Sequence, residues 1–349
     1  MKNRKIFAIC VCFVIVLSTL FGCNKKIYIT TGLKQDEIFK LSGEPCRLAE
    51  VLLVLMTEKS RYEKDLGKDI WSYRVDDESK NLEEEIKSKV KSQMAELKTV
   101  ELLAKNNKIQ LSDTEKEKIA SASKEFINLL SDETKKKLSL KENDVNSLYT
   151  SFYMADKVYD KLTGNVKPEI SDEEARVIQI RYLYISKFAT NESGEKVQLS
   201  QEEMEQKISR LNEASTLLSE GNDFLTVLAQ YSEADTDEIY VSKGNVAEEI
   251  SSAAFSLKSG EISKTVETED GYYIILCIKD YIEDLTAENK IRMEEEYKKK
   301  VYNDTYIPFE AEQTFEFNDK VWNNIHFQDY NEVDISQLYE VYNKWMSQN

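Results

Sequence analysis

The chemistry open to this chain is narrowed first by its histidines, of which there is one, His326. A histidine-ligated zinc cluster is out of reach, and so is a Ser-His-Asp site unless His326 carries it alone. Acidic runs such as Glu83-Glu84-Glu85 and Glu294-Glu295-Glu296 lie in helical patterns and read as solvated faces, not catalytic pairs. No phosphate loop, zinc spacing or calcium loop occurs, and no cofactor or metal is expected. The stretch that sets polar groups into an apolar strand is "DGYYIIL", Asp270–Leu276. Side chains alternate along a strand, so Tyr272, Ile274 and Leu276 share one side and Tyr273, Ile275 and Cys277 the other. A tyrosine entering a sheet brings a neutral hydroxyl that both donates and accepts a hydrogen bond. Chemistry and simple packing are both open to it.

These groups ride on 349 residues, enough for two or three domains with a sizeable core. Basic residues number 47 and acidic ones 64, a net charge of −17, which argues against nucleic acid as a partner because that calls for a basic face. Ten glycines and three prolines predict long regular elements over loops. Residues 1–22 stand apart: Lys2, Arg4 and Lys5 precede an apolar run in the manner of an export signal, short of the ~20 apolar residues of a membrane span. The run ends in Leu20-Phe21-Gly22-Cys23, which resembles a bacterial lipobox and makes Cys23 the expected lipidation site, although Phe21 is bulky for its position. An uncleaved N-terminal anchor is the other reading, and both put the remaining residues outside the cytoplasmic membrane. Cys46 and Cys277 then remain. A disulfide is open to them in an oxidising compartment, but their separation favours two buried free thiols.

Residues 23–40 read as a tether. A helix is expected from about Pro45 to Gly67, a second from about Glu78 to Lys105, and a third opened by the capping box Ser112–Glu115. Another carries Val145, Leu148, Tyr149, Phe152 and Val158 and ends at Gly164, so residues 41–168 form an all-helical domain. At 169 the pattern changes. "ARVIQIRYLYIS" has a strand's density of β-branched and aromatic residues. A helix capped by Ser200 with Glu203, shorter helices, a short strand and the "DGYYIIL" strand follow, giving an α+β domain over 169–282. Residues 283–349 return to helix. There Ile335, Leu338, Tyr339, Tyr342, Trp345 and Met346 form one stripe, expected to pack on the N-terminal helices. The fold class is α+β: a helical domain made of both chain ends, with an α+β domain inserted.

The inserted segment resembles the parvulin-type peptidyl-prolyl isomerases. Phe224, Leu228, Ala229, Tyr231 and Ser232 fit one family phrase, Ala254-Phe255-Ser256-Leu257 with Gly260-Glu261-Ile262-Ser263 a second, and Val266, Thr268, Gly271 and Tyr272 a third. The whole plan is similar to extracytoplasmic foldases of the PrsA/SurA type. The resemblance implies an isomerase site at the sheet centre, with Tyr182 and Tyr273 at the two positions where active members carry histidine. Ser232 and Asp235 would supply polar contacts. The substrate slot falls at Val246, Ile250 and Phe255, the first two standing where a methionine and a phenylalanine are usual.

Prolyl isomerisation crosses a barrier of ~18–20 kcal/mol set by amide resonance. A catalyst lowers it by holding the twisted amide better than the planar ones. Two tyrosines retain hydrogen bonding but lose the family's ionisable pair. The resemblance therefore implies a membrane-anchored foldase or chaperone for unfolded secreted polypeptides, its isomerase activity weak or absent. An active isomerase, or an assembly lipoprotein serving one envelope partner, are the alternatives. Aromatics such as Tyr149, Tyr153, Tyr306, Phe309 and Trp322 would suit client binding if exposed; interior packing is the expectation for most of them.

Overall fold

The computed structural model of the chain describes residues 27–28, 32–74, 81–191, 193–234 and 236–347. These divide into two compact units. One comprises the chain up to Asn165 and again from Val301; the other is Val166–Lys300.

The first unit begins with strands β1 (Ile27–Tyr28), β2 (Glu37–Leu41) and β3 (Glu44–Arg47). Helices α1 (Leu48–Leu66), α2 (Leu82–Asn106), α3 (Asp113–Leu129), α4 (Asp132–Lys137) and α5 (Glu142–Thr163) follow. The second unit holds α6 (Asp172–Ala175), β4 (Val177–Ser186), β5 (Phe188–Thr190), β6 (Lys196–Gln198), α7 (Gln201–Ser219) and α8 (Phe224–Tyr231). It continues through β7 (Glu238–Ser242), α9 (Glu248–Ser256), β8 (Val266–Glu267) and β9 (Gly271–Lys279). Helix α10 (Glu283–Ala311) carries the chain back to the first unit, which closes with β10 (Phe315–Phe317), α11 (Asp319–Asn323) and α12 (Leu338–Met346).

Three expectations for the first unit are corrected. The tether does not run to residue 40, and the domain is not purely helical. Ile38, Phe39 and Leu41 are fully buried in a four-stranded sheet ordered β1-β10-β2-β3. Its register sets Phe315 opposite Leu41 and Phe317 opposite Phe39, so an apolar strand from each end of the chain completes it. Pro45 does not open α1 but lies in β3 opposite Lys40. β3 is an edge strand, where a residue without an N–H is tolerated, and the helix starts at Leu48 with Arg47 as N-cap.

The core of this unit gathers α1, α2, α3, α5 and the C-terminal elements. Ile335, Leu338 and Tyr342 of the C-terminal stripe are buried there. Tyr342 packs its ring 5.3 Å from Tyr149 and 5.5 Å from Phe152 between centroids, and the Tyr149 hydroxyl donates to the Leu338 carbonyl at 2.7 Å. The buried Lys87 ammonium donates to the carbonyls of Ile325 (2.6 Å) and Trp322 (3.3 Å), tying α2 to the segment around the end of α11. Tyr149, Tyr306 and Trp322 are therefore core residues, Tyr153 and Phe309 are half-buried, and none of the five is widely exposed.

In the second unit an antiparallel sheet ordered β7-β4-β9-β8 is covered on both faces. On one face Leu183, Ile185 and Ile274 meet Leu211, Ala214 and Leu218 of α7 and Phe224 and Val227 of α8. On the other, Ile178, Ile180, Val241 and Ile275 meet Ala254 of α9. The alternation read from "DGYYIIL" holds, with Tyr272, Ile274 and Leu276 on the first face and Tyr273 and Ile275 on the second. α7 starts at the expected box, Ser200 accepting from Glu203 N–H and Glu203 accepting from Ser200 N–H. The unit runs beyond residue 282 because the first turns of α10 clamp the start of β4. Thr286 Oγ1 accepts from Val177 N–H at 3.0 Å and the Asn289 amide donates to the Ala175 carbonyl at 2.8 Å. Cys46 and Cys277 are both buried and free.

Candidate functional site

The central strands β4 and β9 set the site. Their register places Tyr184 directly opposite Tyr273 and Tyr182 opposite Ile275, so Tyr182 and Tyr273 meet on the diagonal. Such neighbours lie within reach of aromatic rings. The Tyr182 and Tyr273 centroids are 5.5 Å apart and those of Tyr184 and Tyr273 are 4.9 Å apart, so three phenols share one face. Val246, Ile250 and Phe255, all half-buried, pack into the same cluster as Tyr182 and Tyr273. The last two come from α9. The Phe255 ring is held from outside by the Arg176 guanidinium, 5.0 Å from its centroid, and by Lys243 at 5.6 Å. Five residues proposed from the sequence are thus brought together.

Ser232 serves a neighbouring position. It caps α8, and its Oγ accepts from the N–H groups of Tyr184 (3.2 Å) and Ala234 (3.3 Å), which ties the end of the helix to the strand carrying two of the phenols. Asp235 lies outside the described residues. His326 belongs to the first unit and is half exposed, 3.9 Å from Glu83.

The hydroxyls do not pair with one another. Tyr273 Oη donates to Asp270 Oδ2 at 3.0 Å, Thr268 Oγ1 donates to Asp270 Oδ1 at 2.5 Å, and Tyr184 Oη donates to the Asp270 carbonyl at 3.0 Å. Burial pushes the Asp270 carboxyl upward, but the hydrogen bonds from Thr268 and Tyr273 outweigh it and hold it below the ordinary aspartate value. Burial, followed by the Asp270 charge, pushes the Tyr273 phenol well above its ordinary value. Tyr182 is pushed up by burial and then by Asp237 and Asp270, and Tyr184 also by burial first. The cluster is neutral phenol beside ionised carboxylate. These phenols are neutral near neutral pH, and the face they share can pack apolar groups and hydrogen-bond polar ones. Among the described residues no group of His, Cys, Asp and Glu is arranged to hold a metal ion.

Sequence reasoning missed Tyr184, Thr268 and Asp270. Tyr184 could have been found from its i+2 spacing to Tyr182 on a strand, and Asp270 from its place in the quoted stretch, three residues before Tyr273. A separate cleft of about 320 Å³ in the first unit is lined by Ser60, Glu63, Lys64, Lys68, Asn331 and Asp334 among others. It contains none of the residues above, and Lys68 is already paired with the Asn331 carbonyl at 3.2 Å.

Comparison with known proteins identifies relatives of the second unit and of the chain. The rotamase family described as the PPIC-type PPIase domain matches residues 188–279, a span that includes Tyr273 and α9 but begins after Tyr182. The foldase protein PrsA of Caldanaerobacter subterraneus subsp. tengcongensis is 25% identical over 292 residues, covering 78% of this chain and 82% of that protein. The solved structure of the peptidylprolyl isomerase PrsA from Bacillus cereus is 16% identical, covering 78% of this chain and 99% of the other, with a TM-score of 0.35. That of the PPIase domain of TbPar42 is 24% identical, covering 29% and 99%, with a TM-score of 0.24. By sequence, then, residues 188–279 match the PPIC-type rotamase domain, and the chain is similar over most of its length to a foldase PrsA.

Proposed function

We propose that this protein is a lipid-anchored extracytoplasmic foldase that binds unfolded secreted chains, and that its rotamase unit holds chain segments without appreciable prolyl isomerisation. The observation that carries the second half is the Tyr182–Tyr273 contact at 5.5 Å with the Tyr273 hydroxyl committed to Asp270. A catalyst for bond rotation must favour the twisted amide over the planar ones. A face of packed neutral phenols offers an apolar slot, yet it lacks a pair of groups free to exchange protons or reorient. The sequence similarity to a foldase PrsA supports the first half, together with the lipobox at Leu20–Cys23 and an acidic chain suited to basic clients. No helix among the described residues is long and apolar enough to cross a membrane, and attachment is assigned to lipid on Cys23, outside those residues.

The test pairs two assays on one preparation. A protease-coupled assay on a proline peptide is expected to show no rate above that of Tyr273→Phe. Aggregation of several unrelated unfolded proteins is expected to slow. A wild-type isomerisation rate that Tyr273→Phe abolishes would make the unit an enzyme instead, and recovery of one dominant envelope partner with no effect on aggregation would make the protein an assembly factor. Incorporation of labelled fatty acid, lost in Cys23→Ala, checks the anchor.

A further inference from the structure

The Asp270–Tyr273 pair has a polarity that the slot inherits. Both oxygens of the Asp270 carboxylate are engaged, Oδ1 by Thr268 and Oδ2 by Tyr273, and an ionised carboxylate can only accept. Tyr273 must therefore be the donor in its bond to Asp270. A phenol has one hydrogen, so what Tyr273 retains for anything else is the acceptor capacity of its oxygen. Its ring stands in the same half-buried cluster as Val246, Ile250 and Phe255.

We propose that Asp270 is a specificity-determining positioning residue: by taking the Tyr273 hydrogen it presents the slot with an acceptor, so that the slot selects apolar segments offering a backbone N–H over segments with proline at that point. The inference rests on the chain-binding reading above. A proline nitrogen has no hydrogen to give, and a phenol whose proton is committed cannot donate to that nitrogen as it pyramidalises. The residue arrangement that quiets isomerisation would then also redirect recognition from prolyl to ordinary extended chain. Thr268 contributes by holding the second carboxylate oxygen, which keeps Asp270 from swinging away.

The experiment measures binding of three labelled peptides to the full chain: an apolar Ala/Leu peptide, the same peptide N-methylated at one central residue, and the same peptide with proline there. The parent peptide is expected to bind more tightly than either modified form by roughly fivefold, the worth of one net neutral hydrogen bond. Tyr273→Phe keeps the ring and is expected to remove that ratio. Asp270→Ala, which frees the phenol hydrogen to turn toward the slot, is expected to narrow or invert it. Equal wild-type affinity for the three peptides, tighter binding of the proline form, or a ratio unchanged in Tyr273→Phe would overturn the proposal and leave the chain-binding reading standing. Absence of binding by any peptide would overturn both. Should Asp270→Ala fail to fold, the Tyr273→Phe comparison decides alone.

Discussion

At Gly271 the backbone passes directly under an aromatic ring. A Cβ built there would stand 2.2 Å from Tyr184 Cε2 and 2.6 Å from the Ile185 carbonyl oxygen, so no side chain fits between β9 and β4 at this point. Gly271→Ala is expected to cost roughly 1–3 kcal/mol, as forced overpacking does, read as a lower denaturant midpoint for the second unit. Because the Ile185 oxygen is backbone, Tyr184→Ala should relieve only part of the clash in the double variant. A Gly271→Ala midpoint equal to wild type would remove Tyr184 from the role given to it. The glycine was legible in the resemblance to the rotamases, and the ring above it was not. Which tyrosine of β4 faces Tyr273 depends on the pairing register, and a shift of one residue would turn both to the opposite side.

Among the elements, α3 shows how far local rules reach. Its capping box was readable from Ser112 and Glu115 alone, and both halves form: Glu115 N–H donates to Ser112 Oγ at 3.3 Å and Ser112 N–H to Glu115 Oε2 at 2.6 Å. The same carboxylate accepts from Lys157 at 2.5 Å and from the Tyr153 hydroxyl at 3.1 Å, so a local cap also links α3 to α5. Burial raises the Glu115 carboxyl, but the bonds from Lys157, Ser112 and Tyr153 outweigh it and bring it down to about 2. A carboxyl so lowered adds stability above the ordinary value of 4.5, and the gain is lost as pH falls toward about 2. Glu115→Gln keeps a residue that can complete the box but loses the charge that pairs with Lys157, and is expected to cost about 0.5–1 kcal/mol at neutral pH. The gap between variant and wild type should close as denaturation is repeated at lower pH. A gap that does not change with pH would assign the cost to packing alone.

For the molecule as a whole, the helical unit encloses an unusual amount of phenol. Tyr149, Tyr302, Tyr306 and Tyr342 are buried, and burial pushes each hydroxyl well above the ordinary value of 10.0. An acid whose folded value is raised stabilises the fold fully below the unfolded value, and that contribution is lost as pH rises toward the folded one. Thermal midpoints should therefore hold steady to about pH 10 and fall beyond it, while the folded protein shows little tyrosinate absorbance. Tyr342→Phe should flatten the fall, since that phenol no longer ionises in the unfolded chain. A slope identical to wild type would mean that other groups govern the alkaline limb.

The residues alone determined the helices and their caps, the alternation along β9, the inward stripe at residues 335–346 and the likeness to a rotamase. Apart from that likeness, whose phrases run from Phe224 to Tyr272, each of those signals lies within a few turns of helix or one strand, where periodicity and cap chemistry act. The tertiary structure decided the rest: that Ile38 to Leu41 leave the tether to pair with Phe315 to Phe317, that the first turns of α10 clamp the start of β4, and that Tyr184 and Asp270 complete the phenol cluster. These depend on partners distant along the chain or on a strand register. The burial such pairings achieve is a property of the assembled layers, which no short window of sequence contains.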